Sequence, residues 1–126
     1  MLLCATERRR EMITGTCHCG AIKVSLPEQP EWVSDCNCSI CRRYGVLWSY
    51  FIAKTVNTEA SPTALARYSW GRKELAFVHC KNCGCLMWWE RVKPDPERKM
   101  GVNLRMFEPA VLSAAQVEKL NGADDW

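Results

Sequence analysis

The sequence contains no long run of apolar residues. No stretch approaches the roughly 20 consecutive apolar residues that a membrane-spanning helix requires. The opening segment MLLCATERRRE has only two leucines before Cys4, whereas the apolar core of a secretory signal peptide needs about 7–15 residues. We therefore predict a protein that remains in the thiol-reducing cytoplasm and does not enter a membrane.

A strong excess of charge of either sign is also missing. The chain has 17 lysines and arginines and 14 acidic residues, which gives a net charge of +3. The basic residues are scattered apart from Arg8-Arg9-Arg10, whereas a nucleic-acid-binding face concentrates positive charge. Neither paired carboxylates nor a Ser-His-Asp arrangement lies near the motifs described below. We therefore expect no nucleic-acid partner, and we expect any catalysis to depend on a metal.

Helical periodicity is nearly absent, and short strand patterns take its place. These patterns occupy Ile22–Leu26, Trp32–Asp35, Val46–Ala53, Leu65–Trp70, Glu74–Val78, Leu86–Val92 and Val102–Met106. Gly71-Arg72-Lys73 predicts a hairpin turn between two of them, and only Ala110–Leu120 has a weak helical pattern. The sequence predicts an all-β domain with a small amount of helix over residues 13–126, after a disordered or weakly ordered tail over residues 1–12.

Cysteine is abundant, with nine residues in a chain of 126. Seven of the nine fall in three tight groups, which are Cys17 and Cys19, then Cys36, Cys38 and Cys41, then Cys80 and Cys83. Neighbours this close along the chain rarely bridge each other, because a disulfide needs Cα atoms about 5.5 Å apart with suitable directions. In a reducing compartment such groups favour metal ligands.

The first and last groups predict a closed, structural zinc site. A Cys-x-x-Cys-Gly turn such as the one that begins at Cys80 directs two sulfurs at one metal, and its glycine permits the tight turn that follows. Cys17 and Cys19 raise the number of thiolates to four, which completes a tetrahedral zinc site. Such a site joins distant segments of the chain and contributes free energy of folding.

The middle group predicts a second zinc site of a different kind. Cys36, Cys38 and Cys41 supply three thiolates and leave one position of a tetrahedral zinc open, as in catalytic sites. A thiol substrate suits this position, because zinc stabilises the thiolate, which is the nucleophilic form. A cluster that holds no metal is the alternative interpretation.

The order of the motifs GTCHCG, CNCSICR and CKNCG resembles that of the glutathione-dependent formaldehyde-activating family, which is also known for the related centromere protein V. The resemblance runs from Gly15 to the C-terminal NGADDW. It implies a Mss4-like β-tent of antiparallel sheets stapled by zinc, with Cys17, Cys19, Cys80 and Cys83 as structural ligands and Cys36, Cys38 and Cys41 as catalytic ligands. The implied activity is that of a carbon–sulfur lyase that, in the opposite direction, joins glutathione to formaldehyde as S-hydroxymethylglutathione.

Other residues near the motifs have two interpretations each. His18 and His79 are expected around the metal sites or at the surface, rather than as ligands. Arg42 and Arg43 either attract the carboxylates of a glutathione-like substrate or form a solvated face. Cys85 replaces the Thr or Ser of many family members and is expected to pack as a small apolar residue. Five aromatic residues are expected to pack in the core, and the alternative is that they line a substrate cleft. They are Trp48, Tyr50, Phe51, Trp88 and Trp89.

These observations predict a zinc-dependent carbon–sulfur lyase that acts on a small thiol–aldehyde adduct, with one structural and one catalytic zinc and a thiol such as glutathione as partner. One alternative is a non-catalytic zinc-knuckle module, which a basic face with exposed aromatic residues would favour. Another is a thiol redox enzyme on a related zinc-stapled β fold. That alternative requires a cysteine of low pKa outside the zinc sites, for which Cys85 is the candidate.

Overall fold

The structure is a computed structural model, which describes residues 12–125. Its ten strands are β1 (Ile13–Thr16), β2 (Lys23–Leu26), β3 (Trp32–Cys36), β4 (Trp48–Ile52), β5 (Asn57–Glu59), β6 (Leu65–Tyr68), β7 (Leu75–Cys80), β8 (Leu86–Arg91), β9 (Lys99–Asn103) and β10 (Gln116–Leu120). Its α-helices are α1 (Ser39–Tyr44), α2 (Pro109–Ser113) and α3 (Gly122–Asp125). Single turns of 3-10 helix occupy Ala53–Thr55, Pro62–Ala64 and Leu104–Met106. The protein is mostly β with a small amount of helix, as predicted.

The strands form two sheets. The smaller sheet has the order β1-β2-β5 and is antiparallel throughout. The larger sheet has seven strands in the order β10-β3-β4-β9-β8-β7-β6, and all its neighbours are antiparallel except β10 and β3. The prediction of antiparallel sheets is therefore confirmed, with one parallel pair added. That pair sets Leu120 opposite Cys36, so the end of β10 lies beside the middle cysteine group.

The alternation of apolar residues around β2 explains how the sheets pack. Ile22, Val24 and Leu26 are fully buried, whereas Lys23 is exposed. Burial of one such aliphatic side chain contributes roughly 1.5–3 kcal/mol. The same core includes buried residues from the larger sheet and its flanks, among them Val33, Val78, Met87, Val102 and Leu104, together with Cys17 and Cys80. The first and last cysteine groups are thus tied to the main core.

Gly15, the first residue of the GTCHCG motif, lies where β1 meets the 3-10 helix that follows β9. A Cβ atom at this position would lie 2.7 Å from the carbonyl oxygen of Met106 and 2.8 Å from Cγ of Phe107. Both separations are shorter than van der Waals contact, so a side chain here would displace the neighbouring backbone. The glycine allows the close approach of two segments, and β1 can then place Cys17 at the edge of the core.

The hairpin predicted at Gly71-Arg72-Lys73 is confirmed. β6 and β7 are antiparallel neighbours with Tyr68 opposite Phe77, and the Lys73 amide donates a hydrogen bond to the carbonyl oxygen of Trp70 over 3.0 Å. Gly71 and Lys73 both have positive φ, 60° and 58° respectively. Such a φ is easy for glycine and uncommon for lysine, so this turn has a defined and slightly strained backbone.

Two predictions for the C-terminal part of the chain are wrong in part. The alternating segment Val102–Met106 is a strand only as far as Asn103, because the Asn103 side chain accepts a hydrogen bond from the Arg105 amide and starts a 3-10 helix. The helix predicted over Ala110–Leu120 is limited to α2, and its second half is β10. The backbone of β10 pairs with β3, a partner that the local sequence pattern does not reveal.

The predicted tail falls almost entirely outside the described residues, as do Cys4 and the Arg8–Arg10 run. Met12 is described, and its side chain is exposed. The sequence patterns missed β1, β5, α1 and α3, which have four, three, six and four residues. None of the helices within residues 12–125 has the length and apolar character needed to cross a membrane.

Candidate metal centres

The structure brings the first and last cysteine groups together. Cys17 and Cys19 follow β1, Cys80 ends β7, and Cys83 lies in the turn between β7 and β8. Their four Sγ atoms all lie within 4.8 Å of one another. The Sγ atom of Cys19 is 3.6 Å from the Sγ atoms of both Cys17 and Cys80, the second of which is 61 positions away in sequence. We call this group the four-cysteine cluster.

The spacing of the four-cysteine cluster fits a zinc ion. Tetrahedral Zn–S bonds of about 2.3 Å place neighbouring sulfurs about 3.8 Å apart, which is close to the 3.6 Å observed. Gly20 and Gly84 follow the two cysteine turns with φ values of +84° and +80°, a conformation that favours glycine. The chain is therefore built to turn sharply after each pair of sulfurs.

The electrostatics of the four-cysteine cluster also favour a bound cation. Burial raises the pKa of the Cys17 thiol to about 11, although the Ile22 amide donates a hydrogen bond to its sulfur over 3.3 Å. For Cys83 the shift has the opposite sign. A hydrogen bond from the Cys85 backbone lowers the pKa of the Cys83 thiol to about 5. Neighbouring thiolates repel one another, and a divalent cation offsets both this repulsion and the cost of burial.

The middle cysteine group forms a second cluster at the end of β3, which we call the three-cysteine cluster. Cys36 is the last residue of β3, Cys38 caps the N-terminus of α1, and Cys41 lies in the first turn of that helix. Their Sγ atoms lie within 4.8 Å of one another, and all three residues are buried. The Cys38 amide donates a hydrogen bond to Cys36 Sγ, and the Cys41 amide donates one to Cys38 Sγ, each over 3.5 Å.

The three-cysteine cluster fits a zinc ion with one coordination position left for another molecule. Within residues 12–125 the group contains no fourth cysteine, histidine or carboxylate. Burial raises the pKa of Cys41, although the hydrogen bond from the Trp48 indole lowers it. Burial also raises the pKa of Cys36. Burial acts in the same way on Cys38, but hydrogen bonds from the Cys41 amide, from the Cys41 and Cys36 thiols and from the Ile40 amide outweigh it and lower the pKa of the Cys38 thiol. The donors are soft sulfurs, which zinc accepts well.

A tryptophan fixes one sulfur of the three-cysteine cluster. The indole Nε1 of Trp48 donates a hydrogen bond to Cys41 Sγ over 3.3 Å, and Trp48 is itself buried. The sequence predicts a core position for Trp48, and its hydrogen bond to Cys41 was not predicted. A buried indole N–H requires a hydrogen-bond acceptor, so the sequence does indicate that Trp48 needs one. Which atom accepts the bond depends on how β4 lies against α1, and the sequence does not show this.

A cavity of about 620 Å³ borders the three-cysteine cluster. This volume is in the range of small-molecule sites. All three cysteines line the cavity, and none of the four-cysteine cluster does. Much of the remaining wall is aromatic, from Trp48, Tyr50, Trp70, Phe77 and Trp89, and charged residues come from the β6–β7 turn, namely Arg72, Lys73 and Glu74. Burial raises the pKa of Tyr50, so its hydroxyl keeps its proton at neutral pH.

Comparison with known proteins agrees with this geometry. Residues 12–119 match the family described as glutathione-dependent formaldehyde-activating enzyme. The chain belongs to this family. A crystal structure of a Rhodobacter sphaeroides protein, a structural-genomics target, is 26% identical in sequence and has a TM-score of 0.67, with 84% of this chain and 100% of that chain covered. The fold is thus shared with an experimentally determined structure.

Arg42, the last residue of the CNCSICR motif, and Arg43, which follows it, do not line the cavity in this member of the formaldehyde-activating family. Arg42 and Arg43 are exposed on α1, and Arg43 donates a hydrogen bond to the carbonyl oxygen of Ser39 over 2.8 Å. Their placement agrees with the solvated-face alternative. Arg72 and Lys73 line the cavity instead, although the sequence pattern predicts for these two residues only a place in a turn.

The remaining residues near the family motifs lie outside both clusters. Neither His18 nor His79 belongs to a metal-ligating group in the described part of the chain. Cys85 follows the four-cysteine cluster, and its carbonyl oxygen accepts a hydrogen bond from the Cys80 amide over 3.0 Å. Of the aromatic residues, Trp88 is a core residue and Phe51 packs against the core, whereas Trp48, Tyr50 and Trp89 line the cavity.

Proposed function

We propose that the chain is a zinc-dependent carbon–sulfur lyase-like enzyme that joins a small thiol to an aldehyde and splits the adduct in the reverse direction. The observation that carries this proposal is the placement of the three-cysteine cluster. Its buried sulfurs converge on one point, and a cavity of about 620 Å³ opens beside them. Three ligands next to a cavity are typical of catalytic zinc, whereas structural sites are closed by four.

Cys36, Cys38 and Cys41 are the residues that would hold the catalytic zinc. A zinc ion bound there supplies Lewis acidity, which favours the thiolate form of a substrate thiol at neutral pH. The protein contributes position, because backbone amides and the Trp48 indole fix the directions of the three sulfurs. Such outer hydrogen bonds typically change metal affinity or activity by about 10–100-fold when they are lost.

The reaction needs no oxidant, reductant or other co-reactant. A bond forms between the thiol sulfur and the carbonyl carbon, and the proton of the thiol ends on the carbonyl oxygen. In the reverse direction the same bond breaks, and the thiol and the aldehyde are released. Glutathione is the thiol in the description of the family, so we propose it as the partner. A reducing compartment such as the cytoplasm would keep the ligand cysteines as thiols.

We assign a structural role to the four-cysteine cluster. Cys17, Cys19, Cys80 and Cys83 supply a complete tetrahedral set, which leaves no position for a substrate. The cluster joins the end of β1 to the β7–β8 turn, and two of its members belong to the main core. A zinc ion bound there would stabilise the contact between the two sheets.

The redox alternative receives little support from the candidate thiol. The pKa of Cys85 is raised, because burial and the sulfur of Cys83 outweigh the lowering effect of the His18 backbone. A redox cysteine needs a lowered pKa and good exposure, and Cys85 is half-buried. The binding-module alternative does not account for the cavity beside Cys38, since a docking surface needs no cavity next to three buried sulfurs.

The test compares two cysteine variants that carry the same chemical change. Cys38→Ser removes one sulfur from the three-cysteine cluster, and Cys85→Ser removes a sulfur outside both clusters. We expect about two zinc ions per chain in the parent protein and in Cys85→Ser, and about one in Cys38→Ser. The rate of exchange between glutathione, formaldehyde and their adduct is measured by NMR and compared with the uncatalysed rate. We expect the parent protein and Cys85→Ser to accelerate this exchange and Cys38→Ser not to do so. Unchanged turnover by Cys38→Ser contradicts the proposal.

A further inference from the structure

Aromatic residues form a row across the larger sheet. The strand register places Tyr50 of β4 and Trp89 of β8 on opposite sides of Gly101 of β9. Phe77 of β7 is the cross-strand partner of Trp89, and the ring of Trp32 in β3 lies 5.6 Å from the ring of Tyr50. The row crosses five neighbouring strands, and Gly101 is its member without a side chain.

Gly101 makes the space in which Trp89 lies. A Cβ atom at Gly101 would overlap the indole nitrogen of Trp89 and lie 2.6 Å from its Cδ1. The indole therefore lies directly over the backbone of β9 and leans toward Tyr50, whose ring centroid is 6.3 Å away at an interplanar angle of 55°. Trp89 and Tyr50 together cover the glycine and form a continuous aromatic surface, which we call the aromatic floor.

The aromatic floor is part of the cavity beside the three-cysteine cluster. Tyr50 and Trp89 line this cavity, as does Phe77, and Trp70 contributes a further aromatic side chain from the start of the β6–β7 turn. Trp70 is 40% exposed, so its side chain is not part of the buried core. Aromatic rings prefer offset-stacked or edge-to-face contacts with other rings, and the cavity therefore suits a flat, apolar group.

Positive charge lies at the rim of the same cavity. Arg72 and Lys73 line it from the β6–β7 turn, where Glu74 is the one acidic residue of the lining. In the part of the chain that the structure describes, the ion pairs involve other residues, and neither Arg72 nor Lys73 takes part in one. The turn is held by the hydrogen bond of Ser69 Oγ to the Leu75 carbonyl oxygen over 2.9 Å. The rim thus presents a net positive charge on a defined turn.

We propose that the cavity selects, as the carbonyl partner of the thiol, an aromatic aldehyde that carries a carboxylate. The inference rests on the proposed function and names the substrate class of the same site. The flat ring would lie against the aromatic floor, and the carboxylate would face Arg72 and Lys73. Formaldehyde fills only a small part of a space of about 620 Å³, and glutathione has no aromatic group to stack on the floor. The bond changes are those of the thiol addition given above.

The test measures binding of 4-formylbenzoate to the zinc-loaded protein without thiol, by tryptophan fluorescence and calorimetry. We expect Trp89→Ala to weaken binding about tenfold and Trp70→Ala to weaken it by a smaller factor. Trp32→Ala is the matched control, because Trp32 belongs to the same row and does not line the cavity. If Trp89→Ala folds poorly, Trp70→Ala carries the test, since that residue is exposed at a turn.

The charge at the rim is tested by comparison with benzaldehyde, which lacks the carboxylate. The parent protein and Arg42→Gln should prefer 4-formylbenzoate by about threefold, and Arg72→Gln should lose this preference. Equal affinity for the two aldehydes in the parent protein, or equal weakening by Trp32→Ala and Trp89→Ala, would overturn the inference. Turnover of glutathione with formaldehyde but no binding of 4-formylbenzoate overturns this inference alone. Trp89-dependent binding without turnover of any aldehyde supports the cavity assignment and overturns the proposed reaction.

Discussion

The indole nitrogen of Trp48 donates a hydrogen bond to the sulfur of Cys41 over 3.3 Å. Trp48 begins β4, whereas Cys41 lies in α1, so this bond joins the short helix of the three-cysteine cluster to the larger sheet. Both residues are buried, and a low-dielectric environment strengthens a hydrogen bond to sulfur. Trp48 therefore fixes the direction of the Cys41 sulfur, as outer hydrogen-bond partners do for metal ligands, and this suits the metal site proposed for the cluster.

Trp48→Phe removes this N–H group and keeps an aromatic ring in the core. We expect the affinity of the three-cysteine cluster for zinc to fall by about tenfold or more, with the affinity of the four-cysteine cluster unchanged. Competition with a chromogenic chelator resolves the two sites. Trp88→Phe is the matched control, because the Trp88 indole donates to Glu90 over 2.7 Å rather than to a sulfur. The same loss of zinc in both variants contradicts the role given to Trp48.

Two neighbouring cysteines should differ sharply in their effect on stability. Cys83→Ser leaves three sulfurs in the four-cysteine cluster, so we expect loss of one zinc and a decrease of about 4 kcal/mol or more in the free energy of unfolding. Cys85→Ser changes a thiol outside the cluster, and we expect a decrease of at most about 1 kcal/mol. Urea denaturation of both variants, with zinc content measured on the same samples, checks this difference. A stable, fully loaded Cys83→Ser protein would show that the cluster is not a structural site.

The cysteine clusters could be predicted from the sequence because ligand spacing is a local property. The turn from Cys80 to Cys83 directs its two sulfurs to the same side in any fold. In the structure the members of each predicted cluster do lie close to one another. The cavity could not be predicted in this way. Its aromatic floor depends on the register that sets Tyr50 and Trp89 on either side of Gly101, and strand register is a relation between segments far apart in the chain.

Strands without a buried face were the hardest part of the fold to predict. All residues of β5 are exposed, and so are the first four of the five residues of β10. Alternation of apolar and polar residues arises only where one face of a strand is buried, so neither segment has a strand pattern to detect, and the β10 segment was predicted as helix instead. Both are held mainly by backbone pairing to a neighbouring strand, β5 to β2 and β10 to β3.

The overlap between Gly101 and Trp89 predicts a coupling that a double-mutant cycle can measure. Gly101→Ala adds a Cβ atom where the Trp89 indole lies, and we expect a decrease of about 1–3 kcal/mol in the free energy of unfolding. In a Trp89→Ala background the same methyl group has space, so its cost should largely disappear. Urea denaturation of the parent, the two single variants and the double variant gives the coupling energy. Additive effects contradict the placement of the indole over the glycine.

Asn37 lies between two cysteines of the three-cysteine cluster and holds the C-terminal segment. Its amide donates to the Leu120 carbonyl oxygen over 3.1 Å, and its side chain donates to Asn121 over 3.0 Å. Its Oδ1 also accepts a hydrogen bond from the Ala123 amide over 2.9 Å. The loop that carries Cys36 and Cys38 is therefore fixed by a segment more than 80 positions away, through contacts with α3 and the end of β10.

Asn37→Ala removes both side-chain hydrogen bonds and keeps the backbone one. Because each bond of this kind contributes about 1 kcal/mol, we expect the Ala123 amide to exchange with deuterium about tenfold faster or more, and zinc to leave the three-cysteine cluster more readily. Asn37→Asp is the matched variant, since its carboxylate still accepts from the Ala123 amide and should keep that amide protected. Hydrogen exchange followed by mass spectrometry, with zinc release measured in parallel, distinguishes the two. If Asn37→Ala speeds exchange at the C-terminus without changing zinc release, the segment holds the chain end but does not support the metal site.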